Sequence, residues 1–250
     1  SLFLALFLTS CSNINPTNDA KNELSPETMG DGLFVWNVRC YDKAGNNLFN
    51  TTNFTIDIDA SPPGSFNLDR PGNNTLTFNR TPTLNWTVPS EEHFDNYTIL
   101  FDTDPSFSSP DFEYSAIGNI SNNTFIIQAS DQLNDNTLYY WKVIAYDNLS
   151  QSTESDDYFV YTTDSRRPRI NLTSPSNNTV KNLTNSITFS FNVSDEHNIS
   201  SCSLIVDGSV DTTDSTITVN ATNTIKAVLS NAAYFWNINC TDGAGNINAS

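Results

Sequence analysis

The chain has 250 residues, with 11 Lys and Arg against 28 Asp and Glu, a formal charge of −17 and a pI near 4.1. This balance argues against a nucleic-acid partner, because phosphate needs basic neighbours, and against docking on an anionic membrane surface. Charged residues are only 16% of the chain, so the net charge reflects scarce cations more than abundant acid. Val, Ile, Thr, Tyr, Phe and Trp dominate the apolar stretches, and these are strand formers. Turn residues punctuate the chain and no 3.6-residue period is sustained, which predicts an all-β chain of short antiparallel strands in sandwiches. The length allows two or three small domains.

The first 60 residues contain FVWNVRCYDKAGN, starting at Phe34. Its pattern W-x-[V/I]-x-[C/A]-x-D returns at Trp141 and at Trp236, spacings of 105 and 95 residues, each the size of one sandwich. Alternation puts Trp36, Val38 and Cys40 on one strand face, predicted to be core, with Asn37 and Arg39 opposite. The Asp that follows begins a hairpin turn whose Gly takes a positive φ. Phe54, Ile56 and Ile58 then read as a last strand. Two readings of the start are open. In one, segment 1–60 is a partial sandwich and Cys11 bridges Cys40. In the other, LFLALFL is the apolar centre of a secretory signal, residues 8–11 form a lipobox, and Cys11 is a lipidated membrane anchor. The apolar run is too short to span a bilayer.

Segment 61–164 is the complete unit. It opens at a Pro- and Gly-rich boundary and continues through TPTLNWTVP, with Leu84, Trp86 and Val88 on one face. YTILFDTDPSF, NNTFIIQA, NTLYYWKVIAYDNLS and YFVYTTD follow. This set resembles a fibronectin type III domain of the kind found in prokaryotic surface proteins. The resemblance rests on the segments at 82–86, 97–107, 138–143 and 155–162. It implies a binding or spacer module rather than an enzyme.

Segment 165–250 repeats the pattern with cysteines. Four occur in the chain, at positions 11, 40, 202 and 240, and the middle copy has none, with Ala145 at the lower position. Absence in pairs is what bridging predicts, so Cys202 and Cys240 are expected to be joined, within one sheet and in an oxidising compartment. The opening PRINLTSPSNNT and closing YFWNINCTDGAGN resemble immunoglobulin-like repeats of large archaeal and bacterial surface proteins. After Gly245-Asn246 only INAS remains, so this copy is expected to lack its last strand. The fold expected is thus a tandem of immunoglobulin-like and fibronectin type III β-sandwiches with incomplete terminal ones.

Several candidate sites can be weighed. About 17 N-x-[S/T] sequons occur, and Asn85, Asn96, Asn171, Asn192, Asn198 and Asn239 are candidates for glycosylation. Asn85, Asn171, Asn192 and Asn239 fall opposite core positions and should be accessible. The two histidines sit in matching loops, Glu91-Glu92-His93 and Asp195-Glu196-His197, which read as solvated turns rather than metal sites. Asp102-Thr103-Asp104 has oxygen ligands for calcium but also ordinary turn chemistry before Pro105. No catalytic set, nucleotide loop or cofactor motif is present. The function expected is a non-catalytic extracellular segment, structural or adhesive, of a larger cell-surface protein. Its partners would be neighbouring modules, other surface proteins or glycans. The alternative is a carbohydrate-binding or spacer accessory region of a secreted hydrolase, with Tyr114, Tyr139 and Tyr158 as its aromatic row.

Overall fold

The computed structural model describes residues 29–42, 44–181 and 186–250; Cys11 and the motif at 8–11 lie outside them. Among the described residues the only helical element is a single 3-10 turn, Ala129–Asp131. No helix among them is long and apolar enough to cross a membrane.

The first segment is one long, interrupted hairpin. Strands β1 (Gly32–Trp36) and β4 (Phe54–Ile58) pair antiparallel, and beyond them β2 (Arg39–Tyr41) pairs with β3 (Asn47–Phe49). The interruption is bridged by Asn37, whose Nδ2 donates to the Asn50 carbonyl at 3.0 Å and to Asn53 Oδ1 at 2.6 Å. The expected core face is not buried here. Trp36, Val38 and Cys40 are exposed, as are Phe54 and Ile56, and Trp36 stacks on Phe54 instead. The alternation is broken between β1 and β2, burial requires a second sheet, and neither buried core among the described residues includes this hairpin.

The middle sandwich uses β5 (Leu68–Arg70), β6 (Thr75–Thr77), β7 (Thr83–Trp86), β8 (Phe94–Asp102), β9 (Phe112–Ile117), β10 (Thr124–Ile126), β11 (Leu138–Asp147), β12 (Ser152–Glu154) and β13 (Phe159–Thr163). One sheet runs β10-β7-β5; the other runs β6-β13-β11-β8-β9, with β12 also on β11. β11 is the organising strand. Its sequence LYYWKVIAYD alternates so that Tyr139, Trp141, Val143, Ala145 and Asp147 are buried. The four apolar ones join Tyr97, Ile99 and Phe101 of β8 and meet Leu84 and Trp86 from the other sheet and Phe66 from the segment before it. Each large apolar side chain buried there contributes about 1.5–3 kcal/mol. Val88 does not share the Trp86 face, because β7 ends at Trp86, and it is exposed.

The last sandwich uses β14 (Arg169–Ser174), β15 (Ser186–Ser194), β16 (Ile199–Val206), β17 (Ser209–Asp214), β18 (Thr222–Val228), β19 (Trp236–Asp242) and β20 (Ile247–Ala249). Sheet β14-β15-β18 faces sheet β17-β16-β19-β20 over Phe189, Phe191, Val193, Leu204, Ile225 and Ile238. The residues after Gly245-Asn246 form the counterpart of β3 in the first hairpin, not of the later strand β4. Three residues suffice for β20 to pair with β19, and the pairing runs on to Ser250, whose N–H donates to the Ile238 carbonyl at 2.9 Å.

Candidate functional site: the junctions between sandwiches

Each Trp strand ends in the same turn. Asp242 Oδ1 accepts from the Ala244 and Asn246 N–H groups at 2.9 and 2.8 Å, and Asn246 Nδ2 donates to Oδ2 at 2.9 Å. Asp42 makes the same three bonds with Ala44 and Asn46. Asp147 makes them with Leu149 and Gln151 in the copy without cysteine. These acidic side chains are therefore occupied in holding hairpins, and the turns at Asp147 and Asp242 lie beside the junctions: Asn148 N–H donates to the His93 carbonyl and Asn246 Nδ2 to the Asp164 carbonyl.

The linkers bring two clusters together. At the first junction the His93 N–H donates to Glu91 Oε1 at 2.8 Å, which sets the loop. The ring reaches back to the first hairpin: Nε2 lies 2.8 Å from Asp57 Oδ2 and Nδ1 lies 3.5 Å from Asp59 Oδ2. The hydrogen bond to Asp57, with the nearby carboxylate charges, raises the His93 pKa above its ordinary value. At the second junction the His197 N–H donates to Asp195 Oδ1 at 2.9 Å, and its Nδ1 lies 3.1 Å from Asp164 Oδ2. Burial, then the charges of Asp164 and Asp242, push the Asp195 pKa up. Asp59, Glu91 and His93 form one group whose donor atoms lie within 4.8 Å of one another; Asp164, Asp195 and His197 form the other.

The histidine loops were expected to be isolated solvated turns; instead each meets an aspartate from the linker before it. Sequence reading missed Asp59 and Asp164 because they lie 34 and 33 residues before the histidines. The available signal was that match in spacing, together with a proline shortly after each aspartate, at Pro62 and Pro168.

Further contacts cross the second junction. Asn136 Nδ2 donates to Glu196 Oε2 at 2.6 Å, and Arg166 pairs with the same carboxylate. Asn246 Nδ2 also donates to the Asp164 carbonyl at 2.9 Å. The Phe78 ring of the middle sandwich lies beside Gly245, near enough that a methyl group there would sit 3.5 Å from it.

The remaining candidates are scattered. Cys202 and Cys240 are directly opposite on β16 and β19 and form a disulfide, with Cα atoms 4.1 Å apart. Cys40 is exposed and forms no disulfide with a described residue. Asn171 and Asn192 are exposed cross-strand neighbours on β14 and β15. Asn198 is exposed, although its side chain lies over Gly243. Asn85 and Asn96 are half-buried, with amides donating to Thr124 and Asp95. Asn239 is less accessible than expected: its side-chain oxygen is buried, because the residue lies between β16 and β20. Asp102 and Asp104 accept from the Asp104 and Ser106 N–H groups, as turn residues do.

The aromatic row that the alternative reading would need does not form from Tyr114, Tyr139 and Tyr158. Tyr139 is 0% exposed in the core, and Tyr114 packs on Phe125. Tyr158 is at the surface, but it meets Tyr140 edge-on at 87° and Phe107 at 60°. Those rings present no common plane for a sugar.

Among solved structures, the chain is similar to fibronectin(III)-like modules of CbhA from Clostridium thermocellum, at 17% identity, covering 74% of this chain and 90% of that one, with a TM-score of 0.45. It is also similar to the FN1–FN3 domains of chicken CNTN1, at 12% identity, 86% and 73% coverage and a TM-score of 0.41. A third similarity is to a 1.5-MDa bacterial ice-binding adhesin, at 18% identity, 76% and 63% coverage and a TM-score of 0.35. No curated protein matches the chain. By sequence, residues 168–244 match the family model for a bacterial Ig domain.

Proposed function

We propose that this chain is a non-catalytic, extracellular structural or adhesive segment of a larger surface protein, in which serial sandwiches hold a fixed spacing. Its modules are residues 1–60, 61–164 and 165–250. The observation that carries this reading is the repeated junction: a linker aspartate is drawn against a histidine of the next sandwich, at Asp59–His93 and at Asp164–His197. A chain built for reach benefits from stiff joints, whereas a tethered binding module needs only a flexible linker. The bacterial Ig family match over 168–244 supports the surface setting. The disulfide supports an oxidising compartment. Asn171 and Asn192 are the sequons best placed to carry glycan.

Force spectroscopy on the oxidised and reduced chain tests the mechanical role. The disulfide spans 38 residues, so reduction should lengthen the unfolding event of the C-terminal sandwich by about 130 Å of extended chain. Unfolding at negligible force under both conditions would argue against load bearing. Retention on cellulose, chitin or xylan that is lost in Tyr158→Ala would shift the reading to the accessory carbohydrate-binding module.

A further inference from the structure

The second junction contains buried donors with no hydrogen-bonding partner. Asp164 is fully buried. Its Oδ1 accepts from the Arg166 N–H at 2.9 Å, but its Oδ2 makes no hydrogen bond. The adjacent His197 Nδ1 is buried and likewise makes none. The two atoms lie 3.1 Å apart, close enough for a hydrogen bond but not aligned for one. Two ligands about 2.1 Å from a common ion, at roughly a right angle, show this same separation. Asp195 stands beside them, and the charges of Asp164 and Asp242 both act on it. A dication at the convergence point would neutralise that crowding.

The arrangement occurs a second time. The Asp59 side chain is 9% exposed, and its Oδ2 is buried without a hydrogen bond, 3.5 Å from His93 Nδ1. Here Asp57 holds the other ring nitrogen at 2.8 Å. A carboxylate in that position orients an imidazole and leaves its remaining nitrogen free to ligate a metal.

We propose that each junction binds a divalent transition-metal ion, through Asp164, Asp195 and His197 at the second and through Asp59, Glu91 and His93 at the first. One imidazole nitrogen with two carboxylates suits Zn²⁺, with water completing the shell, whereas Ca²⁺ takes six to eight oxygens. Because the aspartate comes from the linker and the other ligands from the next sandwich, the ion would staple the joint. This goes beyond the spacer reading and does not depend on it.

The test is calorimetric titration of the full, EDTA-stripped chain with zinc chloride, paired with thermal melts. Two zinc ions should bind with Kd of roughly 10 μM or tighter, and zinc should raise the melting temperature. Calcium chloride at millimolar concentration should not displace them. His197→Ala should remove one site, and His93→Ala with His197→Ala both. The histidine side chains are 23% and 26% exposed, so the folds should tolerate these changes. Cobalt(II) on the unmutated chain gives a readout independent of variant folding: protein-bound d–d absorption is expected. Zinc binding weaker than about 1 mM, an unchanged stoichiometry in the double variant, a cobalt spectrum identical to the hydrated ion, or calcium binding in place of zinc would each overturn the proposal.

Discussion

Ser150 has φ of 67° at the turn position where Gly45 and Gly245 have 89° and 94°. The left-handed region costs a side chain roughly 1–2 kcal/mol and costs glycine almost nothing. Ser150→Gly should therefore stabilise the middle sandwich by about 0.5–1 kcal/mol, and Gly245→Ala should destabilise the last by about 1 kcal/mol or more, both read from urea midpoints. Tyr114 offers a second test. Its hydroxyl is buried without a hydrogen bond, and burial, aided by the Asp131 charge, pushes its pKa up to about 12. The folded state thus favours the neutral phenol. That contribution is complete below pH of about 10 and is lost as pH rises from there through about 12. Tyr114→Phe should cost nothing at neutral pH, since no partner is orphaned. It should also flatten part of the alkaline loss, a part only, because burial raises Tyr161 as well. Thermal melts from pH 8 to 12 would show it. Tyr139 shows what the sequence already held at this scale. It stands two residues before Trp141 and shares its face, so alternation alone placed it in the core, although its phenol suggested a surface role.

At the scale of elements, β16 and β19 are tied by hydrogen bonds and by one covalent bond between Cys202 and Cys240. A closed loop of that length is worth about 3–4 kcal/mol in the chain-entropy account. Cys202→Ala with Cys240→Ala should lower the stability of the last sandwich by that amount and leave the melting of the middle one in place, because its core contains neither residue. Coincident loss of both would show that the two cores are not independent. The pairing was legible in sequence because both cysteines sit in alternating strands and are absent together from the middle copy. The exposed face of the first hairpin was not. A period of two says which side chains share a face, but the covering sheet is a long-range fact. The same reason hid the short β20: INA has one large apolar residue, the exposed Ile247, and only the neighbouring β19 makes it a strand.

At the scale of the molecule, the three Trp strands and their spacing made the repeat readable, while the joints stayed hidden because each is assembled from residues more than thirty apart. The second joint combines a polar contact and an apolar one. Glu196 accepts from Asn136 and pairs with Arg166, and Phe78 lies against Gly245. Arg166 and Glu196 are both largely in solvent, so their pairing contributes little alone. Phe78 is 56% exposed, so its contact is also partial. Together they should couple the two sandwiches by about 1–2 kcal/mol. Phe78→Ala with Glu196→Ala removes both contacts without touching either buried core. In scanning calorimetry the transition of the less stable sandwich should then move down by several degrees while the other holds. If neither moves, these two contacts do not couple the sandwiches, and stiffness at this joint would have to come from the Asp164–His197 cluster and the Asn246–Asp164 bond.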